Sequence, residues 1–249
     1  MPLASFNRWQ AAGLHFSGSL AVIGLYLLLV VFAWYPAPYA RIEGVQDVVL
    51  ILVGVDVVLG PLLTLIVFNP AKVSLRLDLS LILAVQLAAL AWGVQVTYAQ
   101  RPLFLAYAPA AAAFSLVAAS EVEAGAVPAG LESSGWGGPR QVYVNTRKSG
   151  LNAAQLVDLS RSTGRRTVAH AQWYEALEGH WAELRDNADV NIEERMRMFP
   201  AIRSRVEDFL ARVGGAPTDY AFITIEGRRD LGFLVLRQAD KTVAGLIVD

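Results

Sequence analysis

Three long apolar runs open the chain, and beyond residue 100 they give way to short alternations of apolar and polar positions. Residues 14–35, 45–68 and 79–98 are dominated by Leu, Val, Ile and Ala. Each reaches the about 20 residues that a helix rising about 1.5 Å per residue needs to cross about 30 Å of hydrocarbon. The pattern therefore predicts three transmembrane helices. Asp56, near the middle of the second run, costs about 3 kcal/mol on an insertion scale, but the run's roughly 17 Leu, Ile, Val and Phe contribute about −0.3 to −0.6 kcal/mol each, so insertion wins. The first run exceeds the about 7 to 15 residues of a signal-peptide core, and Pro38-Tyr39-Ala40 fits a small-x-small cleavage site poorly, so it is read as a retained span.

After the spans, residues 103–107 and 114–122 read as strands joined by a turn containing Pro109, and 141–145 as a third. Between them, 124–140 carries five glycines and two prolines and reads as an exposed loop. Residues 152–162 form a short helix stopped by Gly164. Ile192, Met196, Phe199, Ile202, Val206, Phe209 and Val213 recur at helical spacing, with Asn191 and Glu194 as a capping box and Pro200 imposing a kink or a junction of two helices. Residues 220–225, 231–237 and 242–248 predict a three-stranded meander. The expected fold is a three-helix transmembrane domain, 1–100, followed by a small α+β domain with an antiparallel sheet, 101–249.

Charge sharpens that division. Residues 1–100 hold only four basic and four acidic side chains, and the chain as a whole is 55% hydrophobic and 17% charged. The net charge of −1 gives no basic field to attract nucleic acid. Cysteine is absent, which excludes disulfides, thiolate metal sites and a Cys nucleophile. Arg8 precedes the first span, Lys72 and Arg76 lie between the second and third, and only Arg41 lies between the first and second. That bias places the N-terminus and the 69–78 loop in the cytoplasm and everything after Arg101 across the membrane. Trp34, Tyr35, Tyr39 and Tyr98 then form an outer aromatic belt, and Phe6 with Trp9 an inner one.

The chemistry is concentrated in the spans. An ionisable group at mid-membrane faces a protein interior or a wet cavity, which singles out Asp56. Pro61, five residues on, removes a backbone donor and leaves the Val57 carbonyl unpaired, while Thr64 and Gln86 offer hydrogen bonds at similar depth. Three readings stay open: an internal tie from Asp56 to Gln86, a docking point for another transmembrane helix, and an ion or proton relay. Small residues recur at Gly13, Ser17, Ala21 and Gly24 on the first span and at Ala84, Ala88 and Ala91 on the third, as stripes that let helices approach closely, within the bundle or against a foreign helix. Asp78 suits the positive end of the third helix. His15 reads as an interfacial anchor. His170 and His180 read as solvated, since neither lies in a metal-binding spacing, and no metal or cofactor is expected. Arg165-Arg166 and Arg228-Arg229 read as solvated doublets beside turns. Gly-x-Ser-x-Gly and Walker-type phosphate loops are both missing, so catalysis is not expected.

The run Trp34-Tyr35-Pro36, Gly44, then Leu52-Val53-Gly54-Val55-Asp56-Val57-Val58-Leu59-Gly60-Pro61-Leu62-Leu63-Thr64, with Leu77-Asp78-Leu79-Ser80 and Tyr98-Ala99-Gln100-Arg101-Pro102, resembles the membrane segment of the TfpX/TfpZ family of type IV pilin accessory proteins. The likeness covers residues 8–108, with Gly227-Arg228-Arg229-Asp230 matching again further on. It implies a multi-pass protein of the bacterial inner membrane, with a periplasmic C-terminal domain, that assists the stability or assembly of a cognate major pilin. It implies no reaction. The chain lacks a pilin's basic leader and early glutamate and is not itself read as a pilin. On this resemblance the docking partner for Asp56 is a pilin's apolar N-terminal helix, its terminal amine meeting the carboxylate. The alternatives are a periplasmic sensor or transport-complex subunit, disfavoured by the lack of a cytoplasmic output domain, and a membrane-tethered hydrolase, disfavoured by the lack of a nucleophile and base.

Overall fold

A computed structural model of the chain describes residues 6–186 and 192–248. The three apolar runs form helices, Arg8–Trp34, Val45–Val67 and Leu75–Gln100, each long and apolar enough to cross a bilayer. The first is α1 (Arg8–Leu29) continued by a π-helical turn, Val30–Trp34. Asn7 caps it reciprocally: its side chain accepts from the Gln10 N–H while Gln10 Oε1 accepts from the Asn7 N–H. A short helix, α2 (Tyr39–Glu43), ends on Gly44, whose φ of 70° is the left-handed geometry a side chain resists. The second span is α3 (Val45–Val53), a π-helical stretch Gly54–Leu59, and α4 (Gly60–Val67). The third is α5 (Leu75–Gln100).

The chain divides into two compact units, and the division does not fall cleanly at residue 100. Trp34–Gly44, the connection between the first two spans, belongs with the residues from Gln100 onward. This strap enters the sheet unit's core: Tyr39 and Ile42 pack in one apolar cluster with Leu105, Tyr107, Phe114, Ile223 and Ile225. Its backbone is held as well, because the Ile42 carbonyl oxygen accepts from the N–H groups of Arg229 and Asp230. The aromatic belt expected at 34–39 is therefore corrected. Trp34, Tyr35 and Tyr39 are buried in protein, Tyr39 within the sheet unit's apolar cluster, while Tyr98 and Trp9 are exposed.

Among the described residues the sheet unit contains seven strands: β1 (Pro102–Ala108), β2 (Ala113–Ala118), β3 (Arg140–Val144), β4 (Tyr174–Ala176), β5 (Tyr220–Glu226), β6 (Leu231–Arg237) and β7 (Thr242–Val248). They lie in the order β4-β3-β1-β2-β5-β6-β7. The meander is present over the expected residues, paired Tyr220 to Arg237 and Arg237 to Thr242. The sheet as a whole is mixed, not antiparallel: β3 runs parallel to β1 and β5 parallel to β2. The reason is connectivity. A tight hairpin forces β1 and β2 antiparallel, whereas the long connections before β3 and β5 are free to return the chain in the same direction.

Alternation along the strands builds two faces. Leu105 and Tyr107 of β1, with Leu234 and Leu236 of β6, face the strap, Leu184 of α7 (Trp181–Asp186) and Leu177 in the turn before it. Phe104 and Ala106 face Val168, Ala171 and Trp173, with Leu156 and Leu159 of α6 (Ala153–Thr163) packed outside them. Phe233 and Val235 face Ile192, Val206 and Phe209 of two further helices, α8 (Ile192–Met198) and α9 (Pro200–Val213). Gly164 ends α6, as expected, and Asn152, expected as its first residue, is its cap. Pro200 starts a new helix rather than kinking one, and Phe199 before it is extended and exposed instead of joining the apolar stripe. Asn191, the expected cap before Glu194, lies outside the described residues.

Candidate functional site

The second span is where the chain departs from ordinary helix geometry. Gly60 N–H donates to the Val55 carbonyl five residues back, so the helix is wound one residue wide over Gly54–Leu59. In that register the donor that Pro61 lacks belongs to Asp56, one residue earlier than the Val57 carbonyl that α-helical spacing predicts. The structure supplies the missing donor from another span: Gln86 Nε2 of α5 donates to the Asp56 carbonyl oxygen at 3.2 Å. Gly60 makes room for it, because a Cβ there would overlap the Gln86 amide. Pro61, Gly60 and Gln86 thus form one device that opens the helix and closes the gap with a side chain.

Gln86 also hydrogen-bonds the Asp56 side chain, but an oxygen of each residue stays unpaired. Asp56 is 5% exposed and its Oδ1 has no hydrogen-bond partner; Gln86 is 7% exposed and its Oε1 has none either. Both residues line a cavity of about 260 Å³ whose remaining walls are His15, Gly18, Ser19, Val22 and Ile23 of α1 and Leu83, Leu87 and Leu90 of α5. The two residues therefore border an apolar hollow between the first and third spans. A second hollow of about 260 Å³ lies beside it and shares His15 and Leu83. His15 is tied down there, its Nδ1 lying 2.6 Å from Thr64 Oγ1.

Of the residues singled out from sequence, Asp56, Pro61, Thr64 and Gln86 are all buried in the helix bundle. Gly13, Ser17, Ala21, Ala84, Ala88 and Ala91 are exposed and Gly24 half-buried, and a Cβ added at Gly13 or Gly24 would meet nothing within 4 Å. These stripes face away from the other described helices. Close approach happens instead at Gly60 and at Gly93, where a Cβ would collide with Leu52. Sequence reasoning missed His15 as a bundle residue and also the Tyr26 hydroxyl donating to Thr97 Oγ1 at 3.0 Å, which ties α1 to α5. A polar residue on each of three adjacent spans was the available signal.

In the sheet unit the charged doublets, expected to be solvated, keep partly exposed side chains and also form ion pairs. Glu43 at the end of the strap is buried, with Arg228 Nε 3.3 Å from its carboxylate. Burial pushes its carboxyl above the usual range, and the charges of Arg228 and Arg166 offset part of that. Arg166 grips both oxygens of Glu121 and donates to the Leu116 carbonyl. Burial raises Glu121, but the Arg166 hydrogen bonds and the Ala118 N–H outweigh it and leave the group below its ordinary value. His170 is buried on Trp173 with ring centroids 4.5 Å apart, and His180 stacks on Tyr143 and meets Glu175 at 2.9 Å, so neither is a solvated surface residue. Among the described residues, no group of three or more His, Cys, Asp or Glu is placed to hold a metal ion.

Residues 5–44, the first span and the strap, match the family described as Fimbrial assembly protein FimB. Three similar proteins come from Dichelobacter nodosus. The fimbrial assembly protein of serogroup I is 40% identical over 100 residues, 39% of each chain. That of serogroups C1 and C2 is 40% identical over 100 residues, 39% of this chain and 76% of the relative. That of serogroup E1 is 38% identical over 100 residues, again 39% of each. The match thus spans under half the length of the serogroup I and E1 proteins. No solved structure matches the chain.

Proposed function

The chain belongs to the fimbrial assembly protein family, and on that premise we propose that it is a non-enzymatic accessory factor of the bacterial inner membrane that assists the stability or assembly of a type IV pilin. The resemblance of its membrane segment to the TfpX/TfpZ pilin accessory proteins points the same way, as do relatives whose names are fimbrial assembly proteins.

The observation that carries the reading is the pairing of two features on separate units. One is a helix bundle with a buried acid, Asp56, whose Oδ1 has no hydrogen-bond partner and which lies beside a hollow. The other is a folded sheet unit that takes in the connection between the first two spans. A chain that leaves the bilayer between the first and second spans and again after the third does so on one face. Folding of both segments into one body supports a single domain on that face. With the basic residues Arg8, Lys72 and Arg76 held in the cytoplasm, that face is the periplasm. In this reading the spans, through Asp56, Pro61, Thr64 and Gln86, receive a transmembrane segment of the partner, and the periplasmic domain meets what the partner exposes outside.

Deletion of the gene tests this. Surface pili and pilin abundance are expected to fall and to return when the full chain is supplied from a plasmid. Unchanged piliation and pilin levels in the deletion strain would remove the proposal.

A further inference from the structure

Asp56 Oδ1 and Gln86 Oε1 are both buried, both acceptors and both without a partner, and they belong to residues that line the same apolar cavity. A buried polar atom left unsatisfied in a bilayer core costs several kcal/mol, so a pair left open at one place marks a missing donor. The missing group has definable chemistry. Two acceptors at one wall call for a donor with more than one N–H, and the carboxyl calls for a positive charge, which together describe an ammonium or guanidinium rather than a hydroxyl. Among the described residues, the only other ionisable side chain lining the cavity is His15, whose Nδ1 is already engaged with Thr64.

Position excludes a lipid headgroup. Asp56 is the twelfth residue of the span Val45–Val67, about 16 Å from the start of that helix, close to half the about 30 Å of hydrocarbon. A group reaching Asp56 must be carried there by an apolar segment that itself crosses the membrane. Leu83, Leu87 and Val22 at the cavity's edges are about half exposed, leaving an apolar surface on which such a segment can rest.

We propose that the cleft between the first and third spans is a receptor for a transmembrane helix of another protein that carries a cationic group at mid-membrane, with Asp56 and Gln86 as its acceptors. This rests on the proposed role as an assembly factor and gives the partner-docking site a specific chemistry. The competing arrangement is wholly internal, a protonated Asp56 donating to Gln86 Oε1 and satisfying both atoms without a ligand.

The full chain in phosphatidylcholine vesicles separates the two. Since it has no cysteine, a single Ser134→Cys carries a fluorescent donor, and synthetic Leu/Ala helices of about 20 residues with a central Lys, Met or Glu carry the acceptor. Energy transfer to the Lys helix is expected to need at least about tenfold less peptide than to the Met or Glu helices. Asp56→Asn, which keeps shape and hydrogen bonding, should reduce the Lys helix to the Met level. Ser19→Leu, which fills the cleft without touching charge, should weaken it too. Equal association of the Lys and Met helices with the wild-type protein, or a Lys preference that survives Asp56→Asn, would overturn the proposal in favour of the internal tie. Loss of the preference on adding phosphatidylethanolamine would assign the site to a headgroup and overturn it as well. Since the readout is independent of piliation, a deletion phenotype without a Lys preference sinks only this inference.

Discussion

Ile42→Ala in the strap is the sharpest test of how the two halves of the chain depend on each other. Ile42 has no exposed surface and sits among Leu105, Phe114, Ile225 and Leu234. Truncation removes three carbon atoms, about 2.4 kcal/mol of transfer free energy at about 0.8 kcal/mol each, and the cavity adds roughly another 1 kcal/mol. A loss of about 3 kcal/mol corresponds to a Tm lowered by about 9 °C for a domain of this size. The backbone bonds from Arg229 and Asp230 remain available, so the effect reads side-chain packing. Arg41→Ala next to it is the control: its guanidinium is 66% exposed and 3.9 Å from Asp230, a geometry that contributes about 0 to 1 kcal/mol. Thermal unfolding of the detergent-solubilised full chain, followed by near-UV circular dichroism, gives both numbers. Equal melting of the two variants would refute the reading that residues between the first two spans complete the sheet unit's core.

Other perturbations have distinct signatures. Gln86→Leu leaves the Asp56 carbonyl without its donor and should lower bundle stability by about 1 to 3 kcal/mol. Gly60→Val, which collides with the same amide, should lower it similarly, both measured as resistance of the three-helix fragment to SDS unfolding within the full chain. Glu121, held below its ordinary value in the fold, contributes stability above the unfolded pKa of about 4.3 and loses it as pH falls through the lower folded value. Glu121→Gln should therefore cost about 1 kcal/mol at neutral pH, and its Tm difference from wild type should shrink on acidification. Glu43 runs the other way: its raised pKa makes the fold less favourable as pH rises through it, so Glu43→Gln should narrow the decline in Tm on the approach to neutral pH.

How much of this was legible in the sequence depends on the range of the signal. Lengths and apolar content gave the three helices, and alternation gave the meander, because both are properties of contiguous residues. Asn152, Gly164 and Pro200 acted where their backbone chemistry dictates. β4 is only Tyr174–Ala176, too short to show a period. The parallel pairs join strands separated by long connections, and no local pattern records such a partner. The strap was hidden for the same reason: Trp34, Tyr35 and Tyr39 have the composition of an interfacial belt, and only the distant strands make Tyr39 and Ile42 part of a core. At the polar site, residue types pointed to Asp56, Pro61, Thr64 and Gln86. The shift of the orphan carbonyl from Val57 to Asp56 needed the wide helical turn, which the sequence does not announce.

The account stands most directly on the sheet unit facing the periplasm, and the absence of cysteine makes that measurable. Ser134→Cys in the exposed glycine-rich loop and Ala71→Cys between the second and third spans are both accessible positions. A membrane-impermeant maleimide applied to cells with a permeabilised outer membrane is expected to label Cys at 134 and to spare Cys at 71 until the inner membrane is lysed. Labelling of 71 but not 134 in unlysed cells would place the domain in the cytoplasm, away from exported pilins, and contradict the account.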